Sequence, residues 1–146
     1  MSWVRIYVHL VFSTKKREQF LDTINLREAV LQHIKENALQ KKIKLDCING
    51  YTDHVHCLIA LDNTQVISKV AQLIKGESSN WINKNGLTTN YFAWQDDYWA
   101  VGVSENHLEK LRKYINNQEE HHSKTSFTDE IDNFLAKYDL EFEQED

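Results

Sequence analysis

Two histidines stand one residue apart in GYTDHVHCLIAL, residues 50–61. The apolar residues around them (Val55, Cys57, Leu58, Ile59, Ala60, Leu61) read as a strand, and strand side chains alternate between faces. His54 and His56 therefore point the same way, roughly 6–7 Å apart at their Cα atoms, a spacing at which two imidazoles converge on one ion. The same pair also arises by chance on any half-exposed strand. A second set lies in SENHLEKLRKYINNQEEHH, residues 104–122. Leu108, Leu111 and Ile115 make an apolar stripe that packing alone explains. Beside it, His107, Tyr114, Gln118 and His121 fall within a sector of roughly 60° at about 100° per residue. A tyrosine one turn before a glutamine puts a phenolic oxygen and an amide oxygen on the same site.

The elements that must position these residues follow from periodicity. Val4 to Phe12 is a strand with Val4, Ile6, Val8, Leu10 and Phe12 on one face and Arg5, Tyr7 and His9 on the other. The charged KKREQ loop follows. Thr23 to Lys42 reads as a helix with Leu26, Val30, Leu31, Ile34 and Ala38 at helical spacing. Ile43 to Asn49 is a strand, and Asn49-Gly50 opens the turn of a hairpin with the histidine strand. Val66 to Asn83 is a second helix, ended by Gly86. Tyr91 to Val103 is a fourth strand with an irregular start. Ser104 is the expected N-cap of a third helix reaching about His121. A short fourth helix with Phe127, Ile131, Phe134 and Leu135 precedes the acidic end.

The order β-α-β-β-α-β-α-α begins with the split βαβ arrangement of an α+β, ferredoxin-like (RRM-like) βαββαβ sandwich. Its antiparallel sheet carries helices on one face. Val55, Cys57, Ile59 and Leu61 suit that face, which leaves His54 and His56 on an open face with Tyr7 and His9 near. RRM-type modules offer such a face to single-stranded nucleic acid.

At 146 residues, 41% hydrophobic and 27% charged, the chain reads as one domain over residues 1–146, with an acidic tail at about 139–146. No apolar run approaches a membrane span and no signal pattern is present, so a cytoplasmic protein with no membrane partner is expected. Cys47 and Cys57 lack C-x-x-C spacing and read as buried free thiols. The net charge of −5 is uneven: from Ser126 onward eight acidic residues face one lysine, while the rest is mildly basic. That balance excludes non-specific duplex binding through a large basic surface and leaves recognition of a particular nucleic-acid shape open.

The His54-Val55-His56 pair, followed by YINNQ from Tyr114 to Gln118, resembles the HUH single-tyrosine transposases of the insertion-sequence-200-like (IS200/IS605-type) family. WVRIYVHLVFSTKKR, NGYTDHVHCLI, VISKVAQLIKGESSNWIN and FAWQDDYWAVGVS match that family's elements in order, over about residues 3 to 128. The resemblance implies a DNA transposase that cleaves and rejoins single-stranded DNA through a 5′-phosphotyrosine. Tyr114 would be the nucleophile. His54, His56 and Gln118 would hold Mg²⁺ or Mn²⁺, a mixed and fairly hard donor set that leaves positions for phosphate oxygens. It further implies a homodimer with composite sites, in which Tyr114 of one chain reaches the histidines of the other, and single-stranded DNA with hairpin ends as partner. Lys15, Lys16 and Arg17, with Lys75, Ser78 and Ser79, are the candidates for DNA backbone contacts. His9 is the candidate for orienting a metal ligand, and His121, one turn along the same face, rivals Gln118 as third ligand. His122 and the KKR loop read as solvated charge.

Three other functions fit parts of the pattern. A domesticated relative that processes repeated hairpins would carry the same residues. A non-catalytic RRM-like module would use the histidines only to line its sheet. A small metal-dependent hydrolase would use water in place of Tyr114.

Overall fold

The computed structural model describes residues 2–122 and 126–138, with side chains described up to residue 133. The acidic tail and the side chains of Phe134 and Leu135 lie outside the described residues. Four strands, β1 (Ile6–Ser13), β2 (Lys44–Gly50), β3 (His54–Leu61) and β4 (Trp99–Val103), form one antiparallel sheet in the order β2-β3-β1-β4. Helices α1 (Ile24–Gln40) and α2 (Ile67–Lys84) pack on one face. Val8, Leu10 and Phe12 of β1 and Val55, Cys57, Ile59 and Leu61 of β3 meet Val30, Ile34 and Ala38 of α1 and Val70, Ala71, Ile74 and Ile82 of α2 there. This is the expected α+β βαββαβ sandwich, and the alternation read from β1 and β3 sets its core. No helix among the described residues is long and apolar enough to cross a membrane.

Local signals explain the ends of the helices. The Thr23 side chain accepts a hydrogen bond from Leu26 N at the start of α1, satisfying one of the free amides of the first turn. After α2 the chain turns at Gly86 with φ +58, and Leu87 N returns to Ile82 O, a left-handed stop suited to glycine.

Five sequence expectations need correction. The sheet face carrying the histidines is not open. Helix α3 (Leu108–Asn116) lies across it, with Leu108, Leu111 and Ile115 buried on Leu58, and all eight residues of β3 are buried. The apolar stripe of α3 needs a partner surface, and Leu58 supplies it. Among the described residues, α3 occupies the part of this face around Leu58 that an RRM would offer for stacking. The third helix also does not run through to His121: it breaks at Asn117 (φ −104, ψ 26) and restarts as α4 (Gln118–His122). Ser104 does not cap it, because its hydroxyl bonds the His107 ring at 2.6 Å within a 3-10 turn.

The fourth strand is short. Residues 91–98 run as a loop that buries Phe92 and Trp94, held where the Asn83 amide pairs with both the N–H and the carbonyl of Phe92 at 2.8 Å. Finally, Gly50 is the last residue of β2 rather than part of the turn, which falls at Tyr51–Asp53. A Cβ there would lie 2.3 Å from the His54 carbonyl oxygen, so the position is reserved for glycine by space.

Candidate active site

β3 places His54 and His56 side by side at its start, and both are fully buried. The other nitrogen of each ring is engaged. His54 Nδ1 lies 2.7 Å from Asp53 Oδ1, and His56 Nδ1 lies 2.9 Å from Nε2 of His9 on β1. Such contacts fix ring orientation and leave the two Nε2 atoms facing inward together. His9 thus stands at the place the sequence suggested for it, buried and stacked on His56 at 5.1 Å between ring centroids.

α3 brings Tyr114 over the same spot, its ring centroid 5.7 Å from that of His56. Within the single chain Tyr114 thus lies beside its own histidines. Gln118, the first residue of α4, is fully buried. Its Oε1 lies 3.2 Å from His54 Nε2, and its Nε2 donates to Tyr114 O at 3.2 Å, which sets the amide's orientation. Asp53 Oδ1 accepts from His54 Nδ1, and His54 Nε2 on the other side of the ring faces the Gln118 amide oxygen.

The helix α5 (Phe127–Tyr138) closes the site from above. Phe127 stacks on His54, with centroids 4.3 Å apart and planes 19° from parallel. The buried Glu130 carboxylate contacts both His56 Nε2 and His122 Nε2, and lies 4.0 Å from His54 Nε2. His54, His56, His122 and Glu130 each offer one ligand atom, all within 4.8 Å of one another. His121, the rival third ligand, has Nε2 3.3 Å from Glu130 Oε2 but a side chain about a third exposed, while that of His122 is almost fully buried. Of the two, His122 joins the cluster, because α4 restarts at Gln118 and residue 122 lies one turn beyond it on the same face.

The electrostatics reflect this burial. Loss of solvation lowers the His56 pKa to about 4 against the opposing Glu130 hydrogen bond. Burial, then the neighbouring His56, holds His9 well below the usual histidine range. Burial alone would raise the Glu130 carboxyl, yet hydrogen bonds from His122 and His56 hold it well below the usual carboxylate range. Burial and then the Glu130 charge push the Tyr114 phenol far up.

The expected DNA contacts divide. Lys15, Lys16 and Arg17 are exposed in a turn that follows Ser13, the residue paired with His54. Lys16 and Arg17 take φ values of 56 and 54, a left-handed conformation that costs energy in non-glycine residues. The Arg17 guanidinium bonds Thr128 and lies 5.6 Å over the Phe127 ring, beside a cleft of about 520 Å³ that Lys16, Arg17, Gln95, Trp99 and Ile131 help to line. α2, by contrast, packs on the opposite sheet face. Ser78 is fully buried there, donating to Ile74 O at 2.6 Å and accepting from Trp94 Nε1 at 2.9 Å, so it has no hydroxyl to offer a phosphate. Lys75 donates to Asp96 O at 2.7 Å and Ser79 to Gly76 O at 3.1 Å, and neither is brought to the histidines. His107 is exposed and also lies away from them.

The sequence profile described as Transposase IS200 like matches residues 2–118. The ISDra2 transposase TnpA of Deinococcus radiodurans is 25% identical over 115 residues, covering 75% of this chain and 81% of that protein. Among solved structures, the chain is similar to a Deinococcus radiodurans protein described as a transposase, with TM-score 0.63 and 23% identity over 80% of this chain and 93% of that one. It is also similar to a REP-associated tyrosine transposase bound to a REP hairpin, with TM-score 0.54 and 14% identity over 79% and 66% of the two chains. Both likenesses bear on the fold. The profile match spans the whole sandwich, the histidine pair, Tyr114 and Gln118, and the chain belongs to the IS200-like transposase family.

Proposed function

We propose that this chain cleaves and rejoins single-stranded DNA with Tyr114 as nucleophile. The observation that carries the reading is the seating of Tyr114 beside His56, on a helix whose buried residues pack on the sheet face that holds both histidines. The phenolic oxygen attacks phosphorus, an O–P bond to Tyr114 forms, and the bond from phosphorus to the 3′-oxygen breaks. The phenol loses its proton and the leaving 3′-oxygen gains one. A 5′-phosphotyrosine and a free 3′-OH result, and a second DNA end reverses the step.

The donor set of buried imidazole nitrogens facing an amide oxygen fits a divalent cation, with His54, His56 and Gln118 as its holders. When bound, the ion supplies Lewis acidity to the scissile phosphate. Asp53 and His9 orient the two rings, and Gln118 links the tyrosine helix to His54. Lys15, Lys16 and Arg17 neutralise the DNA backbone beside the site. Joining two ends calls for two active sites, so a homodimer is the working assembly, each chain using its own Tyr114. DNA ends folded as hairpins are the substrate the family likeness favours.

The test uses single-stranded DNA from the flanks of the encoding gene, labelled at its 3′ end and incubated with Mn²⁺ or Mg²⁺. The wild-type chain should give a labelled protein band on a denaturing gel that is absent with Tyr114→Phe and with chelator. Cleavage that persists in Tyr114→Phe without such a band assigns the attack to water and overturns the proposal.

A further inference from the structure

The residues that close the site come from outside the family-matched segment, which ends at residue 118. His122 on α4 and Glu130 on α5 bring an imidazole nitrogen and a carboxylate oxygen to within 4.8 Å of Nε2 of His54 and His56. Both are held in place by packing. The His122 ring stacks on Tyr51 at 5.3 Å and meets His54 edge-on at 4.5 Å. Glu130 is carried on a helix whose Phe127 stacks on His54 and whose Thr128 bonds Arg17. A carboxylate buried to this degree is unfavourable unless it is paired with a cation or fully hydrogen-bonded.

We propose that His122 and Glu130 are metal ligands, and that with His54 and His56 they make a three-imidazole, one-carboxylate site selective for a first-row transition dication over Mg²⁺. The inference rests on reading His54 and His56 as ligands. Its further content is the identity of the added donors and the metal class that follows. Mg²⁺ prefers oxygen donors and sheds water reluctantly, so three imidazoles disfavour it. The same donors suit Mn²⁺ weakly and Co²⁺ or Zn²⁺ strongly, in the usual order of affinities. Gln118 Oε1, 3.2 Å from His54 Nε2, adds one hard donor without changing that preference.

The experiment is an equilibrium titration of the metal-free full-length chain with Zn²⁺ and Co²⁺, against a chromophoric chelator, and with Mg²⁺ in competition. Wild type, His122→Ala, Glu130→Gln and His54→Ala are compared. Glu130→Gln keeps the side-chain shape under Phe127, and far-UV circular dichroism reports that each variant is folded. His122→Ala and Glu130→Gln should each weaken Zn²⁺ binding at least about 10-fold, and the Co²⁺ visible spectrum should change in both. Millimolar Mg²⁺ should leave the Zn²⁺ isotherm unmoved. Wild-type affinity and spectrum in both variants, with binding lost in His54→Ala, would overturn the added ligands and leave the histidine pair standing. Unchanged binding in His54→Ala would instead overturn the pair itself. Displacement of Zn²⁺ by Mg²⁺ would overturn the metal class.

Discussion

Asp53 Oδ1 lies 2.7 Å from His54 Nδ1, so the residue that ends the hairpin turn holds the ring of the residue that begins the strand. The backbone of Asp53 is anchored in turn, its carbonyl accepting from Thr14 N at 2.8 Å. The carboxylate accepts from Nδ1 and so orients the ring with Nε2 toward Gln118. Asp53→Asn keeps the shape and removes the charge. It should lower Mn²⁺ affinity by about 10-fold, read by the free-ion electron paramagnetic resonance signal, with the circular dichroism spectrum unchanged.

The glycines Gly50 and Gly86 are required for different reasons, and substitution should separate them. A Cβ at Gly50 would overlap the His54 carbonyl at 2.3 Å, and that contact is backbone, which yields only if the hairpin shifts. Gly50→Ala should cost on the order of 2–4 kcal/mol and displace the histidines. At Gly86 nothing lies within 4 Å of the added atom, and only the φ of +58 is strained. Gly86→Ala should cost about 1–2 kcal/mol. Urea denaturation of both variants checks the ranking.

Tyr114 is seated by a small apolar cluster of Leu58, Leu108, Leu111 and Ile115. Leu111→Ala opens a void between α3 and the sheet and should lower stability by about 2–4 kcal/mol, the lower half of the range applying because α3 has solvent on its other side. Adduct formation by the folded fraction should slow too, since the helix carrying the nucleophile loses its seat. Denaturant unfolding and the 3′-label gel read the two effects separately.

Burial, and then the nearby Asp46 carboxylate, push the Cys47 thiol up to about 11. A thiol raised this far stays protonated as the pH rises, and its thiolate fraction grows about tenfold per pH unit until about 11. Cys47 should therefore resist iodoacetamide at pH 8 in the folded chain, react progressively faster toward pH 11, and react at the free-thiol rate in denaturant. Mass-spectrometric counting of alkylated Cys47 gives the profile.

Several features of the site are legible because they depend on local periodicity. Strand alternation alone aligns His54 with His56 and turns Val55 and Cys57 to the core. Helical spacing alone sets Tyr114 one turn before Gln118. The sequence offers Ser78 as a DNA contact because a hydroxyl in a helix looks the same in sequence whether it faces solvent or, as here, the indole of Trp94. The sequence makes His122 solvated charge because a helix continuing through Asn117 would turn it away, and the break there brings it inward. Glu130 carried one usable signal, an acid placed three residues after Phe127 and one before Ile131, within an apolar stripe. An acid in such a place points to a buried partner, but not to which one.

By itself, then, the amino-acid sequence determined the βαββαβ order, the core face of the sheet, the alignment of His54 with His56 and that of Tyr114 with Gln118, because each follows from a local period of 2 or about 3.6 residues. Tertiary structure alone decided that α3 covers the histidine face, that Tyr114 meets the histidines of its own chain, and that His122 and Glu130 close over them. No local period relates residue 130 to residue 54. Their meeting depends on the direction taken after Asn117 and on where Phe127 finds a surface to bury, which is His54.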